Sequence, residues 1–372
     1  MNCPETFSFI EEPELALIAI QRFVGAVVSG ALVVSVDQSM CKRIDLCAAS
    51  VLNALALEAG SRYRVQYSGQ YPANAEATEI VLATGLPKAL SLPLPEPEGF
   101  LTFPLVRGAG KPATATQSTM KELEASKLAD YVSDCLDKYG FKLTRDGLRL
   151  LGSLVGEVLT NAEEHSGTTD WWIAAYLRQP KDAQYGDCHI TIFNFGDTLA
   201  DSLQKLPTNS RLRKEMDDLV RMHTKRSFFR RRRWTQDDLW TLYALQEGVS
   251  RLNVEEGALG NRGLGTIAMI EMFQALGQVL QGADRPMMCV LSGNTHILFD
   301  GTFRLAPKPS GDGEERRIIA FNDTNDLGRP PDGGYVRHLK RRFPGTLISL
   351  RFYIDPEYLE KATGQHATYH RP

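Results

Sequence analysis

The sequence predicts a two-domain protein of the α/β (α+β) class. Its 372 residues exceed the roughly 100–200 residues of a single domain. A hydrophobic fraction of 43% and a charged fraction of 23% are typical of globular chains that bury a core. The first part of the chain alternates strand, helix, strand and helix, which favours a small α/β domain with a partly parallel sheet.

The first domain is predicted over residues 1–105, and a linker rich in small residues over 106–120. Its helices have apolar residues at helical spacing and end at Gly60 and Gly85. The predicted elements are strands at 31–37 and 63–68 and helices at 45–59 and 73–84.

The second domain is predicted over residues 121–357, followed by a tail at 358–372. Gly293-Asn294 predicts a hairpin turn between strands at 288–292 and 295–300. Residues 306–334 are rich in Pro, Gly and Asp, which predicts a loop. The other predicted elements are helices at 120–138, 144–165 and 266–276, mostly helical structure at 200–256, and strands at 171–178, 189–194 and 346–354.

Composition excludes several classes of protein. The 42 basic and 45 acidic residues give a net charge of −3, which argues against a chain coated in positive charge for nucleic acid. No stretch approaches the about 18 apolar residues of a membrane helix, and residues 1–14 contain no basic residue of a secretory signal. Six cysteines without a C-x-x-C pair indicate reduced, buried thiols in a cytoplasmic protein without a zinc site.

The helix predicted at 144–165 carries a polar stripe. Glu157, Asn161 and His165 stand at i, i+4 and i+8 and therefore share one face. A carboxamide oxygen suits Mg²⁺, and a carboxylate one turn away can orient or deprotonate a water. The alternative interpretation is an ordinary solvent-exposed helix face.

Two turns contain glycines that favour close approach to a ligand. The strand at 189–194 runs into a tight turn with Gly196, and GNRGLG (260–265) stands directly before a helix. Glycine lets a backbone approach a phosphate, and the N-terminus of the following helix supplies donors. A plain loop remains the alternative, and the spacing matches neither the Rossmann fingerprint nor the P-loop.

In this order the elements resemble the GHKL nucleotide-binding fold, shared by histidine kinases, gyrase-type ATPases, MutL and bacterial anti-sigma-factor kinases. Glu157-x-x-x-Asn161 matches the family's N-box, in a form (N-A-x-x-H-S) that looks most like the anti-sigma kinase branch. The resemblance covers about residues 121–355 and implies an α/β sandwich with helices on one face of a mixed sheet. The other matching segments are 194–198 for the D-x-G-x-G box, 263–265 for the second glycine box, and 343–346 for the final G-T strand.

The resemblance implies ATP and Mg²⁺ as cofactors. Asn161 would ligate Mg²⁺, and Glu157 would be the catalytic general base or water-orienting group. Thr346 would lie near the adenine, and His165 would flank the nucleotide. The remaining residues that would contact the nucleotide are Asn194, Gly196, Gly260, Arg262, Gly263, Leu264 and Gly265.

Three departures from the family pattern limit the resemblance. Asn194 replaces an aspartate that accepts a hydrogen bond from adenine, and because a carboxamide also donates, discrimination between adenine and guanine is weakened. Thr198 replaces the second glycine of that box. No phosphoacceptor helix precedes the domain, which disfavours an autophosphorylating sensor kinase.

Residues 15–95 look like the STAS fold of anti-sigma-factor antagonists. That family carries a phosphorylated hydroxyl in a D-S-[ST]-G motif at a helix start. Here Asp45-Leu46-Cys47-Ala48 stands in its place. The hydroxyl is missing, so phosphorylation at this site in cis is not expected. Ser39 and Ser50 are nearby alternatives that resemble ordinary turn and helix serines.

A basic cluster lies between the two glycine boxes, where the GHKL family has a mobile lid over ATP. Residues 211–233 contain ten Lys or Arg and three Asp or Glu, within a predicted lid at about 200–262. Beside Phe228, Phe229 and Trp234, the residues Arg230, Arg231, Arg232 and Arg233 could bind nucleic acid. One alternative is that these arginines contact an acidic protein partner or the nucleotide itself. The other is that they form a solvated helix face.

We therefore expect a cytoplasmic bacterial regulator that binds Mg-ATP and acts as an ATP-gated switch with slow hydrolysis. Its partner would be another protein or a second copy of the chain, with no membrane. A serine/threonine kinase of the anti-sigma type, acting on a STAS-domain partner, is the first alternative. A nucleic-acid-associated ATPase that uses the Arg-rich lid is the second.

Overall fold

The N-terminal 89 residues form helices and short parallel strand pairs in a computed structural model. Strands β1 and β3 pair in parallel, as do β2 and β4, so parallel pairing is present as predicted, but in two separate two-stranded sheets. The described residues are 1–109, 118–165, 170–181, 183–224, 234–249, 265–276, 285–309, 315–362 and 369–370. The first elements are β1 (Thr6–Phe7), α1 (Pro13–Val28), β2 (Val33–Asp37), β3 (Arg43–Ile44), α2 (Leu46–Tyr63), β4 (Gln66–Gln70), α3 (Ala75–Thr84) and α4 (Leu86–Ala89).

The rest of the chain builds a five-stranded sheet with helices. The strand order is β5–β7–β8–β12–β9, and every pairing within this sheet is antiparallel. The elements are β5 (Phe100–Ala109), α5 (Ser118–Asp137), β6 (Lys142–Leu143), α6 (Arg145–His165), β7 (Asp170–Arg178), β8 (Gly186–Phe195), α7 (Leu199–Gln204), α8 (Arg211–Thr224), α9 (Gln236–Ala244), α10 (Gly265–Leu276), β9 (Met287–Phe299), β10 (Ala306–Pro309), β11 (Glu315–Ile318), β12 (Val336–Ile354), α11 (Pro356–Ala362) and β13 (Tyr369–His370).

Both faces of the sheet are covered. Because side chains alternate along a strand, Ile190 and Ile192 pack in a core with α5, α6 and α10. Trp172 and Phe193 pack on the opposite face in a core with α1 and α2. The α+β class is thus confirmed, but the antiparallel sheet and its second helical layer differ from the predicted mixed sheet with helices on one face.

Helix α2 continues through the predicted stop at Gly60 to Tyr63, and three local predictions further along the chain were also wrong. Residues 287–299 form one strand, β9, and not a hairpin, because β12 pairs with it on both sides of Gly293. Gly293 has a φ of +61° and lies where the register between the two strands shifts. The predicted loop at 306–334 contains the antiparallel pair β10–β11. The last strand of the sheet begins at Val336, ten residues before the predicted start at Thr346.

The N-terminal layer and the sheet share one hydrophobic core. The rings of Phe9 and Phe343 meet with their centroids 6.0 Å apart. Strand β5, which crosses the predicted end of the first domain at residue 105, pairs with β7 in the central sheet. The division into two domains stays a prediction, and residues 1–89 lie as a layer on the sheet.

Helices α7, α8 and α9 fall in the predicted lid and have a small core of their own around Trp240 and Met216. The carboxylate of Asp238 is fully buried and accepts a hydrogen bond from the Thr295 hydroxyl of β9 at 2.8 Å. This contact fastens α9 to the sheet. Residues 225–233, with Arg230, Arg231, Arg232 and Arg233, lie outside the described residues.

All six cysteines are buried and free of disulfides, as their spacing predicted. Burial raises the pKa of the Cys3 thiol to about 12. Such thiols react slowly because the thiolate is the nucleophile.

His296 of β9 joins the sheet to the N-terminal layer, since its Nε2 lies 2.9 Å from the carbonyl oxygen of Phe9. Burial, together with the charge of Arg337, lowers the pKa of His296 to about 3. The unfolded chain therefore binds a proton at His296 near pH 6.5, whereas the folded chain binds it only near pH 3. The contribution of the neutral His296 ring to stability is complete above pH 6.5 and is lost as the pH falls.

We expect the His296→Gln variant to lose less stability than the wild type on acidification. Between pH 6 and pH 4 its free energy of unfolding should fall less steeply by up to about 1.4 kcal/mol per pH unit. Urea denaturation at pH 7, 6, 5 and 4 measures the slope. Parallel slopes for the two proteins would contradict the assignment.

Candidate functional site

Three polar side chains lie side by side across the sheet. Thr346 of β12 pairs with Asn194 of β8 and with Ser292 of β9, and the hydroxyl oxygens of Ser292 and Thr346 are 2.8 Å apart. By strand alternation the row points to the same face as Ile192 and Ile348, the face that α6 and α10 cover. We call Asn194, Thr346 and Ser292 the polar row.

Asn194 is a buried residue, with 5% of its surface exposed. No hydrogen bond joins its carboxamide to another described residue, and its polar atoms are not among the fully buried ones that lack a partner. The amide can accept one hydrogen bond and donate another. The polar row therefore presents a pattern of acceptors and donors that suits the edge of a heterocyclic base.

Two glycines allow the strands to meet at this point. The N–H of Gly196 donates to the carbonyl oxygen of Pro344 at 2.9 Å. Gly345 has a φ of +152°, and a Cβ atom there would lie 2.0 Å from the carbonyl oxygen of Asn194. The predicted turn at Gly196 and the predicted G-T strand are thus in direct contact, for a steric reason that requires glycine at 345.

The chain passes from α6 to the strand beside the polar row within a few residues. Four residues separate His165, the last residue of α6, from Asp170, the first of β7, so the two are at most about 18 Å apart. The next residue of β7, Trp171, pairs with Asn194.

Other predicted site residues are only partly described. Glu157, Asn161 and His165 lie on α6 as predicted, but their side chains are outside the described part of the structure. Gly265 is the first residue of α10. Residues Gly260, Arg262, Gly263 and Leu264 also lie outside it. The described residues thus bring together Asn194, Gly196 and Thr346.

Sequence reasoning missed two features of this site. Ser292 belongs to the polar row, and its hydroxyl accepts the N–H of Leu199 at 2.9 Å, which ties α7 to the row. Thr198 caps α7 in a capping box with Asp201. The T-x-x-D spacing is the sequence signal for such a cap, and it gives Thr198 a structural role at the start of α7.

Charges border the polar row on the side of α7. Arg342 pairs with Asp201 at 2.7 Å, and a Cβ atom at Gly293 would lie 3.3 Å from Arg342. Burial and the charge of Asp201 raise the pKa of Asp237. Of the described residues, Arg342, Asp201 and Asp237 thus place one guanidinium and two carboxylates on this side of the row.

No family model, curated protein or solved structure matches this chain. Within the described ranges, no cluster of three or more His, Cys, Asp or Glu side chains could hold a metal ion. Of the helices in the same ranges, none is long and apolar enough to cross a membrane.

Proposed function

We propose that this chain is a cytoplasmic Mg-ATP-binding regulator of the GHKL type, which acts as an ATP-gated switch with slow hydrolysis. The observation that carries the proposal is the carboxamide of Asn194, a residue 5% exposed, beside Thr346. Adenine offers an amino donor and a ring acceptor, which matches an amide that accepts and donates.

The residues assigned to the phosphates come from α6 and from the segment that ends at the start of α10. Asn161 on α6 would hold the magnesium ion, which supplies charge neutralisation on the phosphates when bound. Glu157, one turn earlier, would orient or deprotonate the attacking water. Gly260, Arg262, Gly263, Leu264 and Gly265 would place backbone donors and the start of α10 against the phosphates.

The contact between α7 and the polar row supports a switch. Because Leu199 donates to Ser292 at 2.9 Å, a base that enters beside Thr346 would compete for the same hydroxyl groups. Movement of α7 would change how it packs against α9, because the two helices share one core and Asp238 holds α9 on the sheet. The surface formed by α7, α8 and α9 would then differ between the two states, and a protein partner or a second copy of the chain would bind one of them more tightly.

Replacing Asn161 with alanine should weaken Mg-ATP binding at least tenfold, a loss of about 1.4 kcal/mol, because the ion loses a ligand. Calorimetric titration of the full chain with ATP, with and without Mg²⁺, measures this. Asn74→Ala is the matched control, because Asn74 caps α3 far from the row, and its affinity should not change. Equal Mg-ATP affinities of the wild type and Asn161→Ala would contradict the assignment of Asn161 to the site.

A protein serine/threonine kinase of the anti-sigma type is the second candidate, favoured by the N-A-x-x-H-S form of α6. Its substrate would be another protein, because Asp45 takes the helix-capping position and Ser50 is only 1% exposed. With labelled ATP and a STAS-domain partner, the kinase transfers label to protein, whereas the switch releases inorganic phosphate. The nucleic-acid alternative depends on Arg230–Arg233, outside the described residues, and stays a prediction.

A further inference from the structure

Strand β4 lies at the edge of its sheet. It pairs with β2 on one side, and no other described strand pairs with it. The far side of β2 is taken by the N-terminal residues, where Asn2 forms a bridge to Asp37. All residues of β4 except Tyr67 are exposed. We call Gln66–Gln70 the β4 edge.

Tyr67 and Gly69 direct their main-chain groups away from β2. The N–H of Gln66 and the carbonyl oxygen of Gln70 form hydrogen bonds of 2.8 Å and 3.0 Å with the residues that flank β2. Because the direction of these groups alternates along a strand, the N–H and C=O of Tyr67 and Gly69 face outward. No described residue forms a hydrogen bond with them. Such a row of donors and acceptors is complementary to another extended chain.

The β4 edge lacks the features that keep natural edge strands apart, which are charged side chains, proline and bulges. Residues 65–71, VQYSGQY, contain neither a charged residue nor a proline. Strand β4 pairs with β2 in one continuous register. Large apolar or aromatic side chains are exposed close to it in the chain or in the sheet, namely Leu32, Val33, Tyr63 and Tyr71. The edge is therefore open to pairing.

The β4 edge is complementary to itself. If two copies paired antiparallel about Ser68, Tyr67 of one copy would exchange main-chain hydrogen bonds with Gly69 of the other. Ser68 would face its own counterpart and Gln66 would face Gln70, so hydroxyl would meet hydroxyl and amide would meet amide. Glycine opposite Tyr67 leaves room for the ring. No like charges would face each other, and this symmetry favours a second copy as the partner.

We propose that the β4 edge is a homodimer interface, in which β4 of two copies pair antiparallel about a two-fold axis at Ser68. The contact is isologous, since the same residues serve both copies. It would join two separate β2–β4 pairs into one continuous sheet with the order β2–β4–β4–β2. The interface uses the N-terminal layer and not α7, α8 or α9, and it does not depend on nucleotide binding.

Cysteine cross-linking of the full chain tests the register. Directly opposite residues of a non-hydrogen-bonded antiparallel pair have Cα atoms about 4.5 Å apart, which a disulfide can span, and the native cysteines are all buried. We expect Ser68→Cys to form a covalent dimer with diamide, which takes up the two thiol hydrogens. Ser35→Cys is the matched control, because Ser35 is exposed and pairs with Ser68 but lies one strand further from the axis. Equal cross-linking of the two variants, or none in Ser68→Cys, would overturn the proposal.

Sedimentation equilibrium without nucleotide measures the association itself. The wild type should dimerise with a dissociation constant below about 1 mM, the range of weak specific contacts. Ser68→Lys places like charges opposite each other and should raise this constant at least about threefold, whereas Ser35→Lys should leave it unchanged. A wild type that stays monomeric, or a dimer that Ser68→Lys does not weaken, would show that the β4 edge is not the interface.

Discussion

Replacing Gly345 with alanine should lower the free energy of unfolding by about 3 kcal/mol or more. The backbone φ of +152° disfavours any side chain, and a Cβ atom would lie 2.0 Å from the carbonyl oxygen of Asn194. Strands β8 and β12 cannot move apart easily at this point. Gly345 pairs with Phe195, and the N–H of Gly196 donates to the carbonyl oxygen of Pro344. Urea denaturation measures the loss.

Gly140→Ala is the matched control for this change. Gly140 also has a positive φ, of +77°, but no atom lies within 4 Å of the position of its Cβ. We expect a loss of about 1 kcal/mol from backbone strain alone. The difference between the two variants reports the close approach of β12 to β8, and equal losses would contradict that explanation.

Asp187→Asn should be the most destabilising substitution of a charged residue discussed here, at about 3–5 kcal/mol. The neutral side chain would remove the charge that Arg178, Arg351 and His189 share in this buried site. Asp217→Asn is the control, since Asp217 also pairs with an arginine, Arg213, but is 45% exposed. Its loss should stay below about 1 kcal/mol.

The cost of Asp187→Asn should also depend on pH. Burial by itself would raise the pKa of the Asp187 carboxyl, but His189, Arg351 and Arg178 hold it below its ordinary range. The folded pKa thus lies below the unfolded one, so the stabilisation is complete above about pH 4 and is lost as pH falls further. The gap in unfolding free energy between wild type and variant should shrink from pH 5 to pH 2, and a constant gap would contradict this.

Much of the secondary structure could be predicted because its signals are local. Strands β7 and β8 are continuous runs of residues suited to a buried sheet, and α2 begins where Asp45 caps it. The hairpin predicted at Gly293-Asn294 is absent, although Gly-Asn is a common hairpin turn. Here β12 is long enough to pair with β9 on both sides of the glycine, so a long-range partner overrode the local turn preference.

The candidate site was predicted in part. The order of motifs pointed to Asn194 and Thr346, and the register of β8 against β12 makes them direct neighbours. Ser292 was missed, since a serine in an apolar run has no distinguishing local signal. Thr198 was treated as a departure from a motif, although its spacing to Asp201 already contained the helix cap.

The sequence by itself determined the type of most elements and the polar stripe of α6, because periodicity and caps act over a few residues. Only the tertiary structure decided that the sheet is antiparallel throughout and covered on both faces. That choice depends on contacts such as Phe9 with Phe343 and Arg178 with Glu76, 102 residues apart. The buried cluster of Asp187 with Arg178, Arg351 and His189 arises in the same way, since no local pattern brings these side chains together and burial strengthens their interaction.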